Sequence, residues 1–377
     1  MTPGGHHRGG VAGGGPAAAA PVDARHREAL RRWLASGVLP AARDDAEAAA
    51  IVEAAREQRL IALLHSAVET EGGAAWSGAV RGVLADEHRR LLVRGVGQLD
   101  LAARVEARLA AKGLRSLPLK GAAIAESLYA SPAERPMADV DVLALDDWPS
   151  SVRALEEAGF ECADRADHAW SFIDPETRSL VELHHSVTSC REVFGLDVEA
   201  LWGRARPAAG QVRRVPSTED LLVQIAQHAL FQHAGVLWLV QWLDVRRLLE
   251  RDPPDPARLA RAARESRAAL CVRAALAAAA AIVGAPVHPE LAPDAAVPSA
   301  LTAWEEGVRR DPLSAVTPAP PPLARLRWAL AAGRRWSLIT GTLRPPDAET
   351  GIALGSPSAI VRRMAGLVRR WGSTLLR

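Results

Sequence analysis

Two acidic residues stand one position apart where an apolar run begins near the middle of the chain. The segment RPMADVDVLAL covers residues 135–145 and places Asp139 and Asp141 at the start of that run. On a β-strand, residues two apart point to the same face and lie about 6.8 Å apart along the chain. The spacing therefore predicts two carboxylates side by side on one face of a strand.

A third acid follows later in the chain. In the segment VELHH, Glu182 alternates with the apolar residues Val181 and Leu183, and His184 shares its face. Neighbouring strands of a sheet lie about 4.8 Å apart. If this strand pairs beside residues 139–145, Glu182 joins the two aspartates, and His184 either touches substrate or metal or is a hydrogen-bonded strand histidine.

Three clustered carboxylates predict a metal site. The carboxylates repel one another, and burial raises the cost of their charge further. A divalent cation is the simplest compensation, and Mg²⁺ prefers oxygen ligands together with substrate phosphates. Two such ions about 3.5–4 Å apart can bind the attacking and leaving oxygens of a phosphoryl-type displacement.

The acid pair alone is compatible with other roles. Acids often end strands or cap the following helix, and for the pair alone this structural role is the stronger expectation. An EF-hand is excluded because Leu143 and Ala144 stand where its loop binds calcium or turns sharply. Haloacid-dehalogenase-like phosphatases carry such a pair after an apolar strand, whereas the loop RPMA precedes it here. Neither a Walker loop nor a GxGxxG motif is present.

The combination of segments is more specific than any one of them. In order along the chain they are LPLKGAAIAESLY, RPMADVDVLAL, VELHH, EDLLVQIAQHALFQH and WLVQWLDVRRLL. This series resembles the uncharacterised nucleotidyltransferase family within the polymerase-β-like superfamily. The resemblance extends from about residue 28 to the end and is strongest between residues 114 and 250.

The resemblance implies a role for each candidate residue. Asp139 and Asp141 match the paired metal-binding aspartates, and Glu182 matches the third acid. Lys120 and Gly121 match the strand-to-helix turn that approaches the triphosphate, where glycine permits close backbone approach and a helix N-terminus favours an anion.

Two further positions bear on the phosphates. Arg135 matches the basic residue before the acid pair and is expected to clamp a phosphate. The superfamily's usual Gly-Gly or Gly-Ser turn is Gly121-Ala122 here, so no serine hydroxyl is available to hold a phosphate, and Lys120 is a candidate to compensate.

The implied activity is Mg²⁺-dependent transfer of a nucleoside monophosphate from an NTP to a hydroxyl-bearing acceptor, with release of pyrophosphate. ATP is the expected nucleotide, Mn²⁺ is the second candidate ion, and a small molecule, peptide or protein is the acceptor, as in a biosynthetic tailoring step. Two alternatives stay open. One is a catalytically silent protein that binds a nucleotide or a partner. The other is a nucleotide-sugar glycosyltransferase, although that class places its DxD after alternating strands and helices.

The surrounding pattern predicts an α+β fold with a small mixed sheet flanked by two helical regions. Apolar residues recur at three- and four-residue spacing before residue 114 and again after Ser217, and strands and short helices lie between them. The predicted units are a disordered tail (1–22), an N-terminal helical region (23–113), a nucleotidyltransferase core (114–210) and a C-terminal helical region (211–377).

Composition narrows the class of protein. The 46 basic and 44 acidic residues nearly cancel, which argues against a nucleic-acid partner. Cys162, Cys190 and Cys271 form no CxxC pair, which argues against a zinc site or a disulfide framework and favours a reducing, cytoplasmic compartment. The apolar run 268–286 is mostly alanine and contains Arg273, so a buried helix is expected and a transmembrane segment is not.

Other segments carry weaker predictions. His228 and His233 lie five apart, which on an α-helix is about 500° and places them on different faces, so they are rejected as a metal pair. Asp244 is expected to pair with Arg246 or Arg247. The basic C-terminal helix predicted in AIVRRMAGLVRRWGSTLLR would suit a membrane surface or an acidic partner, but we favour packing on its own protein. The oligomeric state is left open.

Overall fold

A computed structural model of the protein describes residues 23–71, 76–166, 168–188, 193–208 and 213–316. The chain begins with helices whose ends follow from local chemistry. Asp23, Asp44 and Ser77 each accept a hydrogen bond from a backbone N–H of the helix that follows them, which satisfies one of its free donors. These N-terminal helices are α1 (Ala24–Ser36), α2 (Asp45–Glu57), α3 (Ile61–Thr70) and α4 (Gly78–Ala111).

Strands and short helices follow, as the sequence predicts. Gly113, just after α4, has a positive φ of 73° that glycine adopts without strain. The elements of this part are β1 (Ser116–Pro118), α5 (Lys120–Leu128), β2 (Val140–Ala144), α6 (Trp148–Glu157), β3 (Glu161–Arg165), β4 (Ala169–Ile173), β5 (Leu180–His184), α7 (Val198–Arg204), β6 (Arg206–Pro207) and β7 (Arg214–Val215).

The main sheet is mixed and has the strand order β1-β2-β5-β4-β3. Strands β2 and β5 run parallel, and the other neighbouring pairs are antiparallel. The antiparallel neighbours β4 and β5 follow each other in the chain and form a hairpin. Strand β3 was not predicted, because this mostly exposed edge strand lacks apolar alternation and carries an irregularity between Cys162 and Asp164.

The two faces of the sheet have different surroundings. Val140 and Val142 of β2, with Val181 and Leu183 of β5, belong to an apolar cluster with α4, α5 and α6. Because side chains alternate along a strand, residues 139, 141, 182 and 184 point to the opposite face. The candidate acids therefore share the face that α4 and α6 do not cover.

The C-terminal part of the described chain is helical. Ser217 accepts a hydrogen bond from the backbone N–H of Asp220, which caps the helix that follows. The predicted apolar run forms a helix, and it ends at Gly284 with a φ of 67°. These elements are α8 (Thr218–Gln227), a π-helical turn (His228–Gln232), α9 (Leu239–Arg251), α10 (Pro256–Glu265), α11 (Ala269–Val283) and α12 (Ser299–Arg310). Three 3₁₀ turns cover Pro132–Glu134, Pro289–Leu291 and Pro312–Ala315.

One large apolar core joins both helical regions. Leu30, Ile51 and Leu64 from the first helices belong to the same buried cluster as Trp242 and Ile282 from the last helices. The start of α4 belongs to this core, and its later turns pack on the sheet. The mixed α+β fold with flanking helical regions is confirmed. The residue ranges of the four predicted units stay a prediction.

Several predictions fall outside the described residues. They concern the tail 1–22, Cys190 and the basic C-terminal segment 359–377. In the described part of the chain, no helix combines the length and the apolar character needed to cross a membrane.

Candidate active site

The parallel pairing of β2 and β5 brings the candidate acids together. Asp141 stands opposite Glu182 in the register of the two strands, which is the pairing that the sequence analysis required. Ligand atoms of Asp141, Glu182 and His184 all lie within 4.8 Å of one another. The sheet therefore gathers two carboxylates and one imidazole at a single point.

Asp139 stands two residues before Asp141 in the chain. It directly precedes β2 and is not one of the three residues whose ligand atoms converge. Burial, and then the negative charges of Asp141 and Glu182, raise the pKa of Asp139 to about 6. Asp139 is thus close enough to be repelled electrostatically by both acids. A cation at the cluster would offset this repulsion.

Asp141 is the centre of the cluster. Its Oδ1 accepts a hydrogen bond of 2.7 Å from Lys120 Nζ and lies 2.8 Å from His184 Nε2. Only 5% of the residue is exposed. Burial alone would raise the pKa of Asp141, but the charge of Lys120 and the hydrogen bond with His184 hold that pKa well below its usual range. Asp141 is therefore an ionised carboxylate.

Lys120 supplies the positive charge that balances Asp141. Burial opposes its ammonium form, but the neighbouring Asp141 carboxylate keeps the pKa of Lys120 above its ordinary value. Lys120 stands at the first position of α5 and has a positive φ of 46°, which is unfavourable for a residue with a side chain. Strained backbone of this kind persists where surrounding structure holds it and is frequent at functional sites.

His184 contacts the carboxylates of both Asp141 and Glu182 and holds them in position. Its Nδ1 lies 3.2 Å from the carbonyl oxygen of Ser186, and its Nε2 lies 2.8 Å from Asp141 and 3.4 Å from Glu182. A carbonyl and ionised carboxylates only accept hydrogen bonds, so these contacts favour a protonated imidazolium. Burial opposes that charge, yet the hydrogen bonds with Asp141 and Glu182 raise the pKa of His184. The hydrogen bond from His184 in turn lowers the pKa of Glu182.

Gly121 allows a close approach at the start of α5. A Cβ atom on this residue would lie 2.7 Å from Met137 Cγ, closer than real contacts permit. The observed neighbour is thus the Met137 side chain of the loop before β2. Contact of Gly121 with a triphosphate stays a prediction.

Arg135 lies in a buried ion pair behind this loop. Its NH2 is 2.7 Å from Asp244 Oδ2, and only 5% of the residue is exposed. Tyr129 also donates a hydrogen bond of 2.6 Å to Asp244. The prediction that Asp244 pairs with Arg246 or Arg247 is wrong, because Asp244 points from α9 toward Arg135. A phosphate-clamping role for Arg135 stays a prediction, but its present contacts are those of a structural link.

The π-helical turn His228–Gln232 places two histidines, His228 and His233, next to each other. The backbone N–H of His233 donates to the carbonyl of His228, five residues earlier, and the two rings lie 4.5 Å apart. The prediction of different faces is wrong because it assumed α-helical spacing, whereas a π turn brings residues five apart together. Burial, and then the positive charge of Lys120, lower the pKa of His228 well below its ordinary value. A neutral imidazole therefore lies near the acidic cluster.

The donor set fits a divalent cation. Two carboxylates and the His184 ring converge, and burial together with these two acids raises the pKa of the third carboxylate, that of Asp139, to about 6. The carboxylates suit Mg²⁺ and Mn²⁺, whereas the His184 ring could bind a softer transition metal only after it loses its proton. The Lys120 ammonium and the His184 imidazolium face three carboxylates, which leaves net negative charge for a cation.

Comparison with known proteins gives a family. The model of a family described as uncharacterised nucleotidyltransferase matches residues 44–284, which is more than half of the chain. That span contains every candidate residue of the site. No curated protein matches the chain.

Two solved structures show a distant likeness. One is the solution structure of the antibiotic-resistance factor ANT(2'')-Ia, with 16% identity over 41% of this chain and 84% of that chain and a TM-score of 0.32. The other is an antigenic nucleotidyltransferase-like protein from Paracoccidioides brasiliensis, with 18% identity over 41% of this chain and 75% of that chain and a TM-score of 0.28. Both TM-scores are below 0.5, so nothing about the site or substrate of this chain follows from them.

Proposed function

The chain belongs to the uncharacterised nucleotidyltransferase family, and we propose that its acidic cluster transfers a nucleoside monophosphate from an NTP to a hydroxyl-bearing acceptor. The expected metal is Mg²⁺, the expected nucleotide is ATP, and pyrophosphate is the expected leaving group. The acceptor is a small molecule, a peptide or a protein.

The proposal depends on one observation. Asp141 and Glu182 stand opposite each other on parallel strands, with their ligand atoms and that of His184 within 4.8 Å. Burying several acids at one point is costly unless a cation accompanies them. If Asp139 and Asp141 only ended a strand or capped a helix, there would be no reason for Glu182 to lie beside them.

Each residue of the cluster has a part in this proposal. Asp139, Asp141 and Glu182 would hold the ion, and His184 keeps two of these carboxylates oriented through its hydrogen bonds. When bound, the metal would neutralise phosphate charge and lower the pKa of the acceptor hydroxyl. Lys120 has the charge and position to donate to phosphate oxygens, with Gly121 beside it at the start of α5. Positioning and electrostatics would supply most of the rate.

The test is transfer of label from [α-³²P]ATP to a panel of hydroxyl-bearing acceptors, with pyrophosphate release measured in parallel. We expect Mg²⁺-dependent release by the wild-type protein and a loss of about 100-fold or more in Asp141→Asn and Glu182→Gln, judged by the size of single electrostatic contributions in other enzymes. Equal release by wild type and by both variants would show that the acidic cluster is not the site of transfer.

A further inference from the structure

The loop between α5 and β2 determines where Asp139 lies. The ladder between β2 and β5 begins with Val140 opposite Val181 and includes Asp141 opposite Glu182. Hydrogen bonds of the sheet therefore fix Asp141, whereas Asp139 precedes the first of these paired residues. A side chain on a loop is placed less precisely than one on a strand unless neighbouring residues support the loop. The position of Asp139 thus depends on what holds the loop before it.

One face of α4 holds the end of this loop. Gln98 Nε2 donates a hydrogen bond of 3.1 Å to the carbonyl oxygen of Met137, and Arg94 NH2 donates one of 3.3 Å to that of Ala138. These two carbonyl groups immediately precede Asp139 in the chain. Gln98 and Arg94 lie four residues apart on one helix, so they share a face of it. The backbone that leads into Asp139 is therefore hydrogen-bonded to α4.

A glycine on α4 lets the loop come this close. A Cβ atom on Gly95 would lie 2.7 Å from the carbonyl oxygen of Pro132 in the same loop, closer than real contacts with backbone permit. Gln98 follows Gly95 by three residues, so the close packing and the hydrogen bond to Met137 lie on adjacent turns of one helix face. Only 4% of Gln98 is exposed, so water competes little for this hydrogen bond.

The side chain of Met137 extends this link to the other side of the site. A Cβ atom on Gly121 would lie 2.7 Å from Met137 Cγ, so the methionine packs directly on the backbone of Gly121. The residue before Gly121 is Lys120, whose Nζ donates the hydrogen bond of 2.7 Å to Asp141. Met137 therefore contacts α4 through its carbonyl and the start of α5 through its side chain.

We propose that Gln98 is a positioning residue of the metal site: its hydrogen bond to the Met137 carbonyl sets the loop that places Asp139 beside Asp141. This inference rests on the proposed function, because it takes Asp139 as a metal ligand. The competing explanation is that the hydrogen bond of Gln98 only stabilises the fold. The two explanations differ in what Gln98 contributes to metal binding once Asp139 can no longer bind the metal.

Mn²⁺ titration of the full-length protein, followed by electron paramagnetic resonance, separates them. Gln98→Met removes the donor and keeps an unbranched side chain of similar length, so Mn²⁺ affinity should fall about tenfold, as for other residues that orient metal ligands. In the Asp139→Asn background the same change should alter Mn²⁺ affinity by less than about twofold, because the group that Gln98 positions is gone. A purely structural role would give the same fold-change in both backgrounds.

A second variant displaces the loop without altering Gln98. Gly95→Ala places a methyl group against the Pro132 carbonyl and should also weaken Mn²⁺ binding, again only where Asp139 is present. A fall in Mn²⁺ affinity of equal size in the wild-type and Asp139→Asn backgrounds would contradict the positioning role.

Gln227→Met is the matched control. Gln227 on α8 is also buried, and its Nε2 donates to the carbonyl of Ser266, which lies outside this loop. Each glutamine variant loses one hydrogen bond to a carbonyl, so both should lose similar thermal stability, but only Gln98→Met should weaken Mn²⁺ binding. If the wild type binds Mn²⁺ and Gln98→Met binds it equally well, this inference is wrong and the proposed function stands. If the wild type binds no Mn²⁺, both are wrong.

Discussion

At the scale of single residues, Lys120 supplies positive charge to a carboxylate that we propose as a metal ligand. Its ammonium lies 2.7 Å from Asp141 Oδ1 and balances that carboxylate. Lys120→Met removes this competitor while keeping an unbranched side chain of similar length. We expect about tenfold tighter Mn²⁺ binding without nucleotide and weaker ATP binding, both measured by titration calorimetry, because the ammonium repels the ion and attracts phosphate. Unchanged Mn²⁺ affinity would contradict this account of Lys120.

His184 is expected to act through the carboxylates that it contacts. Replacing it by glutamine removes the ring that holds Asp141 and Glu182 in position. The loss of this orientation should lower Mn²⁺ affinity about 10- to 100-fold, as for other residues that orient metal ligands, and should outweigh the gain from losing a nearby positive charge. The matched control is His288→Gln, since His288 is exposed and lies beyond α11. An equal fall in Mn²⁺ affinity in both variants would mean that the effect of His184→Gln is not specific to the acidic cluster.

The residue types in the sequence predicted the acidic cluster better than they predicted the basic side chains that contact its acids and the loop before β2. Alternation along β2 and β5 predicted that Asp141 and Glu182 share a face on the condition that these two strands pair, as they do. The pairing of Lys120 with Asp141, and of Arg135 with Asp244, depends on how α5 and α9 pack against the sheet. Such long-range contacts leave no periodic signal in the sequence, so they could not be predicted.

At the scale of elements, helix α9 anchors the loop that precedes β2. Asp244 accepts hydrogen bonds from Arg135 and Tyr129, and all three side chains are buried. Asp244→Ala leaves a buried guanidinium without its partner and should lower the free energy of unfolding by about 3–5 kcal/mol. Tyr129→Phe removes one hydrogen bond and should cost about 1 kcal/mol. Urea denaturation measures both, and a cost below that of Tyr129→Phe for Asp244→Ala would contradict the anchoring role.

A second element-scale prediction concerns Glu106 on α4. Burial raises the pKa of Glu106 from 4.5 to about 7, although Arg213, 3.7 Å away, opposes the rise. A folded-state pKa above the unfolded one means that this contribution to stability is complete below about pH 4.5. It is lost as the pH rises through 7.

Glu106→Gln removes the ionisation and leaves Arg213 paired with Glu126. At pH 8 the variant should therefore be more stable than the wild type, by up to about 3 kcal/mol at 1.36 kcal/mol per pKa unit. The difference should shrink toward pH 4.5. Thermal midpoints across this range measure it, and a stability difference that does not change with pH would exclude the buried Glu106 carboxyl as its source.

Local patterns predicted most elements, and the exceptions have physical reasons. The π-helical turn at His228–Gln232 differs from an α-helix by one inserted residue, which apolar periodicity over a short segment does not reveal. Strand β3 is defined by its hydrogen bonds to β4, because its side chains are mostly exposed.

At the scale of the whole molecule, the two helical regions form one support for the sheet. Residues from α1 to α3 and from α8 to α12 bury their side chains in a common core, which periodicity predicts for each helix but not between them. The Gln58–Leu239 hydrogen bond belongs to this junction. The helices of the two regions are thus fixed together, and the acids lie on the face of the sheet opposite the one that α4 and α6 cover.

The central claim is that the acids of β2 and β5 hold a divalent cation, and Mn²⁺ binding followed by electron paramagnetic resonance tests it most directly. Wild-type protein should bind Mn²⁺ at least about tenfold more tightly than Asp141→Asn or Glu182→Gln, with and without a non-hydrolysable ATP analogue. Asp100→Asn, an exposed change on α4, should match the wild type. Equal Mn²⁺ affinity in the wild type and both cluster variants would contradict the claim.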